Sequence, residues 1–175
     1  MTLPMLFSRT HSAPCVVIET RAKGMLASLA HDLRVLAPIA SGEASSDDRC
    51  TATFDVSAMK VDQSCKHNSG AWGAPSPGDR SQIEEKIGAE VFKGVRTITV
   101  EAQLTGSRAK ITVTAGAGKQ SVDTTVSVER ADGTVRAKGE ATLSLEALKA
   151  TQPKVPLGAI KLEDAVVVRF DVVLA

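Results

Sequence analysis

The sequence predicts a mainly β protein folded as one closed antiparallel barrel. Two observations lead to this fold class: apolar and polar residues alternate along most of the chain, and short turn sequences separate the alternating runs. Such alternation is typical of strands with one buried and one solvated face, because successive side chains point to opposite sides of a sheet. Counted from Cys15 onward, the runs give about eight strands, a number that closes around side chains or one small ligand.

The clearest predicted strand runs from Thr134 to Glu146. Every second residue from Val135 to Leu145 is apolar or glycine, and the residues between them are polar. The same alternation predicts further strands, whose inward-facing residues are Ala52, Phe54 and Val56; Ile98, Val100, Ala102 and Leu104; Ile111, Val113 and Ala115; Val122, Val126 and Val128; and Val166, Val168, Phe170, Val172 and Leu174.

Glycine-containing turns join the strands of the second half into a meander. They lie at residues 105–107, 116–118 and 131–133. Each is short enough to connect neighbouring antiparallel strands as a hairpin. Closure of the meander into a barrel would remove its exposed strand edges.

Residues 62–79 interrupt the strand pattern and are predicted to form a long loop, because three glycines and two prolines fall between residues 70 and 78. A helix is predicted to follow the loop. Residues 81–84, Ser-Gln-Ile-Glu, fit a capping box, and Pro77-Gly78 is expected to block an earlier start.

An apolar stripe marks one face of this helix. Ile83, Ile87 and Val91 recur at four-residue spacing. We expect the stripe to pack against the barrel, across an open end.

The composition fits one domain spanning residues 1–175 and argues against several partners. The 21 Lys and Arg nearly balance the 20 Asp and Glu, so no net field attracts nucleic acid or anionic lipid. Aromatic residues make up only 3%, which argues against a base-stacking surface. No apolar run approaches the ~20 residues that span a bilayer, so no transmembrane segment is predicted and a soluble protein is expected.

The cysteines and the amino terminus indicate a cytoplasmic protein. Cys15, Cys50 and Cys65 are spaced like neither a zinc site nor a redox motif, so we expect reduced thiols. Residues 1–12, which include His11, lack the basic region and apolar run of an export signal and are expected to be mobile.

Stretches along most of the chain resemble the YceI-like family. Residues 23–33, KGMLASLAHDL, are similar to an early G-L-x-S-x-x-H-D-L pattern of that family. The middle of the chain, at residues 79–84, 91–92 and 95–100, resembles the family's helix and the P-x-I-x-F strand after it. The end resembles its closing S-x-x-x-x-G-I-x-P and G-x-L-x-V-x-D-x-V-x-V-x-F pattern, at residues 142–153, 158–164 and 166–170.

This resemblance implies a lipocalin-like antiparallel barrel with a long internal channel, which in several relatives carries a polyisoprenoid or a similar lipid. Many relatives are exported to the periplasm. The chain departs from the family pattern at three places: Ala147 to Ala150 lacks the usual glycine, Arg96 stands where the family often has proline or its neighbour, and Thr97 to Leu104 has no phenylalanine. These departures concern the shape of the pocket and not the fold.

Small side chains on the predicted inner faces bear on whether the barrel is hollow. Such a lining either leaves a cavity or lets the helix approach closely. The alternative to a cavity is a barrel filled by its own side chains, and composition does not separate the two. A dry aliphatic cavity would favour an alkyl or isoprenyl chain by ~25 cal/mol for each Å² removed from water. The resemblance favours the cavity. The small residues are Ala52, Ala102, Ala115, Ala137, Gly139 and Ala141.

The adjacent pair His31-Asp32 has the residue types of a general base or a metal ligand. Neighbours on a strand point to opposite faces, however, so they cannot form a dyad directly. We expect His31 to hydrogen-bond at the barrel mouth or to contact a ligand head group, with Asp32 on the other face.

No cofactor and no metal ion is predicted. Residues 65–67, Cys-Lys-His, offer two soft ligands on a polar loop without a third nearby, and a solvated loop is the favoured interpretation. The sequence contains no nucleophile elbow, phosphate loop or HExxH helix. The paired acids Glu84-Glu85 and Glu163-Asp164 are expected to be solvated, so no catalytic residue is predicted.

Trp72 lies between glycines in the predicted loop. A lone indole there is either a plug over an apolar opening or an anchor for a partner protein. We favour the plug, which with Ile83, Ile87 and Phe92 would form a lid where ligand entry is controlled.

These observations leave three functional hypotheses. The favoured one is a non-enzymatic binder of an apolar small molecule or lipid chain. The second is an interaction module with a packed barrel that docks through the Trp72 loop, and the least favoured is an enzyme that uses His31; a homodimer stays open. For the binder, the predicted ligand-binding residues are His31, Leu33, Val35, Phe54, Trp72, Ile83, Ile87, Phe92, Val100, Ala137, Gly139, Ala141 and Phe170.

Overall fold

The computed structural model describes residues 15–25, 27, 30–153 and 161–175. The predicted mobile segment at residues 1–12, with His11, lies outside the described residues. So do residues 26, 28 and 29 of the first family-like stretch and residues 158–160 of the last.

Strands dominate the described part of the chain, as predicted. One α-helix, α1 at Pro77–Lys86, continues into a π-helical turn at Ile87–Val91, and a short 3₁₀ turn spans Val56–Ala58. The strands are β1 (Cys15–Thr20), β2 (Ala22–Lys23), β3 (His31–Ala44), β4 (Arg49–Asp55), β5 (Lys60–Lys66), β6 (Thr97–Thr105), β7 (Arg108–Ala115), β8 (Gly118–Ala131), β9 (Thr134–Ser144), β10 (Lys161–Leu162) and β11 (Ala165–Leu174).

The main sheet closes on itself through its first strand. Its order is β1-β11-β9-β8-β7-β6-β4-β3-β5, and β1 also pairs with β3. Every pairing in it is antiparallel, so β1, β11, β9, β8, β7, β6, β4 and β3 form an eight-stranded barrel. The predicted fold class is therefore confirmed. Strands β2 and β10 form a separate two-stranded sheet.

The long strand β3 pairs with two different strands along one of its edges. Its first half pairs with β5 and its second half pairs with β4, and a register shift interrupts each pairing. On β5 the extra residue is Asp62, which lies between Val61, opposite Val35, and Gln63, opposite Arg34. A bulge of this kind changes which residues face the core, so strict alternation fails there.

The predicted loop at residues 62–79 is therefore shorter than expected. Its first residues belong to β5, which ends at Lys66, and α1 begins at Pro77. The connection between them is residues 67–76, called the 67–76 loop below. It folds back on β5, because Ser64 and Gly73 exchange two backbone hydrogen bonds of 2.8 and 3.0 Å.

The helix also begins earlier than the capping-box pattern predicted. Ser76 is its N-cap and accepts a hydrogen bond from the Asp79 backbone N–H, and Pro77 occupies the first turn. Proline fits there because the first turn needs no intrahelical N–H donor. Glu84 is not a capping residue: its Oε1 accepts a 3.0 Å hydrogen bond from the Val61 backbone N–H.

The barrel has two different ends. The hairpin end carries the turns at residues 45–48, 106–107 and 132–133, where β3–β4, β6–β7 and β8–β9 are joined. The helix-covered end carries the carboxyl end of β1, the start of β3, and α1 with its π-helical turn. Between these ends, the predicted inward faces of β4, β6, β7, β8 and β11 pack into one apolar cluster.

Candidate functional site

The interior of the barrel is hollow. A cavity of about 460 Å³ follows the inner faces of the strands, and nearly all of its lining is aliphatic or aromatic. On β11 alone the lining extends from Val166 to Leu174, about 26 Å of strand at ~3.3 Å per residue. The cavity therefore extends between the two ends of the barrel.

Most of the predicted ligand-binding residues meet at this cavity. Trp72 and Gly139 are the two that do not line it. Four of the six small residues predicted for the inner faces also line it: Ala52, Ala102, Ala137 and Ala141. The predicted ligand-binding residues in the lining are His31, Leu33, Val35, Phe54, Ile83, Ile87, Phe92, Val100, Ala137, Ala141 and Phe170.

Gly139 acts on the cavity through its neighbour Phe170. The two residues are register partners on β9 and β11. A Cβ atom at position 139 would lie 2.8 Å from Phe170 Cζ and 3.1 Å from the backbone oxygen of Thr125. The missing side chain at 139 thus provides the space in which the Phe170 ring lies along the wall.

Trp72 lies outside the barrel wall, which corrects the prediction of a plug. Its ring is stacked on Arg34, with the guanidinium carbon 4.0 Å from the ring centroid. Arg34 is on the outer face of β3, where it donates a 2.9 Å hydrogen bond to Gln63. The cation–π contact explains the position, since it covers the indole without a place inside the barrel.

The apolar stripe of the helix does reach the cavity. Ile83, Ile87, Val91 and Phe92 all line it at the helix-covered end. Ile83 comes from α1, and Ile87 and Val91 come from the π-helical turn. The structure thus retains the predicted helical cover over the barrel, without Trp72.

Polar lining residues gather mainly at the helix-covered end. Thr20 ends β1, His31 begins β3, Lys86 ends α1 and Lys161 begins β10. Lys86 forms a 3.2 Å ion pair with Glu90. Thr20 was missed by sequence reasoning, although it continues the inward-facing series of Val16 and Ile18 on β1.

His31 and Asp32 point to opposite sides of β3, as strand geometry predicted. His31 lines the cavity, whereas Asp32 is fully buried behind the wall. The Asp32 carboxylate accepts hydrogen bonds from the backbone N–H groups of Ala22 and Asn68, each at 3.0 Å, and from His67 Nδ1 at 2.8 Å. Burial raises the pKa of Asp32, but these donors outweigh it, so the net pKa is lowered.

The stretch at residues 65–67 is not a solvated loop. Cys65 is buried on β5, and His67 holds the Asp32 carboxylate from the start of the 67–76 loop. The register explains this, because Cys65 lies directly opposite Asp32 in the β3–β5 pairing. The histidine–carboxylate pair of this protein is therefore His67 and Asp32, outside the cavity.

A second buried carboxylate, Glu19, holds three arginines on the outer face. Its side chain is only 5% exposed, and it receives Arg169 at 2.8 Å, Arg21 at 3.0 Å and Arg34 at 3.3 Å. Burial raises the pKa of Glu19, yet Arg169 and Arg34 outweigh it and hold the pKa below its usual value. This cluster joins β1, β3 and β11. No local sequence pattern indicates it, since most of its members are far apart in the chain.

Cys50 places one thiol in the cavity wall. It is a free, buried cysteine on β4. Burial raises the pKa of its thiol, and the Asp48 charge acts in the same direction. The Cys50 thiol is thus held in its neutral form among aliphatic neighbours.

Comparison with known proteins finds no matching family model and no matching curated protein. In the described ranges of the chain, no helix is both long and apolar enough to cross a membrane. Among solved structures, a polyisoprenoid binding domain from Saccharophagus degradans, implicated in plant cell wall breakdown, is similar with a TM-score of 0.51 and 10% identity over 90% of this chain and 92% of that chain.

A second similar structure is BcnA from Burkholderia cenocepacia. It matches with a TM-score of 0.50 and 13% identity over 91% of this chain and 96% of that chain. At such identities the similarity concerns the fold, and it covers about nine-tenths of this chain. The chain thus shares the fold of these two structures, a closed antiparallel barrel of the kind that its resemblance to the YceI-like family implied.

Proposed function

We propose that this barrel binds and sequesters one elongated apolar ligand, an isoprenoid or a fatty-acid-like chain, without transforming it. The observation that carries the proposal is the aliphatic cavity of about 460 Å³ that extends between the two barrel ends. Small-molecule sites in proteins have volumes of roughly 300–1,000 Å³ and mostly apolar linings. The cavity is within that range.

The wall suits a chain that has few polar groups. Each 100 Å² of apolar ligand surface removed from water contributes about 2.5 kcal/mol, before the cost of immobilising the chain. The shared fold of the Saccharophagus degradans domain, described as polyisoprenoid binding, supports the same class of ligand.

Two alternatives fit the structure less well. The interaction module requires a packed barrel and a free Trp72, whereas the barrel is hollow and Trp72 is stacked on Arg34. An enzyme that uses His31 would need a partner group, and the Asp32 carboxylate faces the other side of the wall. Sequestration in the cytoplasm, by a monomer or a homodimer, stays a prediction.

Organic-solvent extraction of the purified protein, followed by mass spectrometry, tests the proposal. We expect a co-purified isoprenoid or fatty acid, and uptake of a fluorescent fatty acid by the delipidated protein. A clean extract together with no uptake of a fluorescent fatty acid or isoprenoid would overturn it.

A matched pair of variants locates the uptake. Ala102→Phe adds a ring inside the cavity, and Glu101→Phe adds the same ring to the outer face of β6. We expect Ala102→Phe to reduce uptake and Glu101→Phe to leave it unchanged. Equal loss in both variants would place binding outside the barrel.

A further inference from the structure

The hydroxyl of Thr20 is an unusual feature of the cavity. Thr20 Oγ1 is buried and has no hydrogen-bond partner among the described residues. Its side chain lines the cavity at the helix-covered end, opposite Leu33 in the β1–β3 register. A buried hydroxyl without a partner costs free energy, and a ligand atom is the partner that this position lacks.

A second polar group lies beside Thr20. His31 also lines the cavity, two residues before the register partner of Thr20. His31 is exposed, and its imidazole makes no hydrogen bond to the described residues, since the neighbouring Asp32 carboxylate lies on the other face of β3. The two side chains together offer donors to one ligand group at the cavity mouth.

The charge around this mouth is an independent observation. Lys161 lines the cavity and lies directly opposite Lys23 in the β2–β10 pairing. Like charges in direct cross-strand positions repel each other. Lys23 also interacts with the Asp164 carboxylate, and a bound anion would supply an opposite charge for Lys161. Thr20, His31 and Lys161 are called the mouth site below.

Resting on the proposed function, we propose that the ligand carries an oxyanion head group, a carboxylate or a phosphate, which binds at the mouth site. The hydroxyl of Thr20 donates a hydrogen bond to a head-group oxygen, and Lys161 supplies the opposite charge. The apolar chain then extends past Val16 and Ile18 toward the hairpin end. The ligand enters with its chain first and stays with its head at the helix-covered end.

The test compares ligands with and without the head group. Equilibrium dialysis with radiolabelled ligands compares the affinity for hexadecanoate with that for hexadecane, and the affinity for geranylgeranyl phosphate with that for geranylgeraniol. For Thr20→Val, which keeps the shape and removes the hydroxyl, we expect about five- to tenfold weaker binding of the anionic ligands and unchanged binding of hexadecane, which has no polar group. Lys161→Met should show the same selectivity. The losses measured for hexadecanoate and for geranylgeranyl phosphate identify which head group, carboxylate or phosphate, is preferred.

A control variant and the unfolding midpoint exclude damage to the fold. Thr99→Val makes the same exchange on β6, at a position that faces outward like Glu101. Its ligand affinities should equal those of the unmodified protein. The urea midpoint of unliganded Thr20→Val should equal or exceed that of the unmodified protein, because the buried hydroxyl has no partner to lose and its removal relieves a desolvation cost.

The outcomes separate the two proposals. If hexadecane and hexadecanoate both bind, and Thr20→Val and Lys161→Met leave both affinities unchanged, the mouth site is wrong and the sequestering barrel stands. If no ligand of either pair binds the unmodified protein, the proposed function falls, and the mouth site falls with it.

Discussion

Gly139 lies directly opposite Phe170 in the β9–β11 register, and the Phe170 ring occupies the space that a side chain at 139 would need. The glycine is required for this close approach and not for its backbone conformation, because its φ is not positive. The width of the cavity at Phe170 is therefore set by a residue that does not line it.

Gly139→Ala should narrow the cavity. The added methyl would lie 2.8 Å from Phe170 Cζ, so the ring must move toward the cavity interior. We expect about 1–3 kcal/mol of destabilisation from overpacking, together with reduced ligand uptake. Urea unfolding and fluorescent fatty-acid binding measure the two effects.

Gly73→Ala is the control for this variant, since nothing lies within 4 Å of a Cβ at that position. The double variant Gly139→Ala with Phe170→Leu should recover uptake, because a leucine at 170 leaves room for the methyl group at 139. Full uptake by Gly139→Ala alone would contradict the constriction.

Glu19→Gln should destabilise the barrel by about 1.5–3 kcal/mol, the range for hydrogen bonds to charged groups. The amide cannot balance Arg21, Arg34 and Arg169, which now converge on Glu19. Asp171→Asn is the matched control, because Asp171 pairs with Arg136 and Lys138 at the more exposed end of β11. Exposed pairs contribute about 0–1 kcal/mol, so equal losses in the two variants would be inconsistent with a special role for Glu19.

The protein should lose stability in acid through Glu19 and Asp32. Both carboxyls have pKa values lowered by folding, so the folded state binds fewer protons than the unfolded state over the acid range. Their stabilisation is complete above the unfolded pKa values, about 4.3 for Glu and 3.9 for Asp, and is lost as the pH falls toward the folded values.

Urea midpoints measured from pH 7 to pH 2.5 test this dependence. We expect a flat profile down to about pH 5 and a decline below it. Asp32→Asn and Glu19→Gln should each flatten the decline. A profile that is equally steep in both variants would mean that other carboxyls cause the acid loss.

Trp72 emission should not respond to ligand. The protein has a single tryptophan and no tyrosine, and that tryptophan is stacked on Arg34 outside the barrel wall. Saturating hexadecanoate should leave the emission maximum unchanged, whereas urea unfolding should shift it to longer wavelength. A blue shift on ligand addition would instead favour the plug predicted from the sequence.

Period-two alternation was sufficient to predict the barrel, because each strand from β6 to β9 buries one face against the cavity. It did not predict β5, where Asp62 is inserted and shifts the pattern by one residue. The predicted helix start was wrong because Ser76 and Ser81 are both followed by residues that suit a helix N-terminus. Glu84, the expected capping partner of Ser81, accepts a hydrogen bond from the Val61 backbone of β5 instead.

The polar clusters were harder to predict than the strands. Glu19 and Arg169 are 150 residues apart in sequence, and Asp32 and His67 are 35 apart. No local pattern connects such partners, since only the pairing of β1 with β11 brings the first pair together. The contact between Trp72 of the 67–76 loop and Arg34 of β3 is likewise between residues far apart in sequence, so no local pattern predicts it.

The aliphatic wall also explains how this architecture persists at 10–13% identity to structures of the same fold. Exchanges among valine, isoleucine, leucine and alanine preserve the inward pattern while they change the width of the channel. Such a wall constrains the total volume of its side chains more than the identity of most of its residues. Barrels of this fold can thus differ widely in sequence and in the width of their interior without a change of fold.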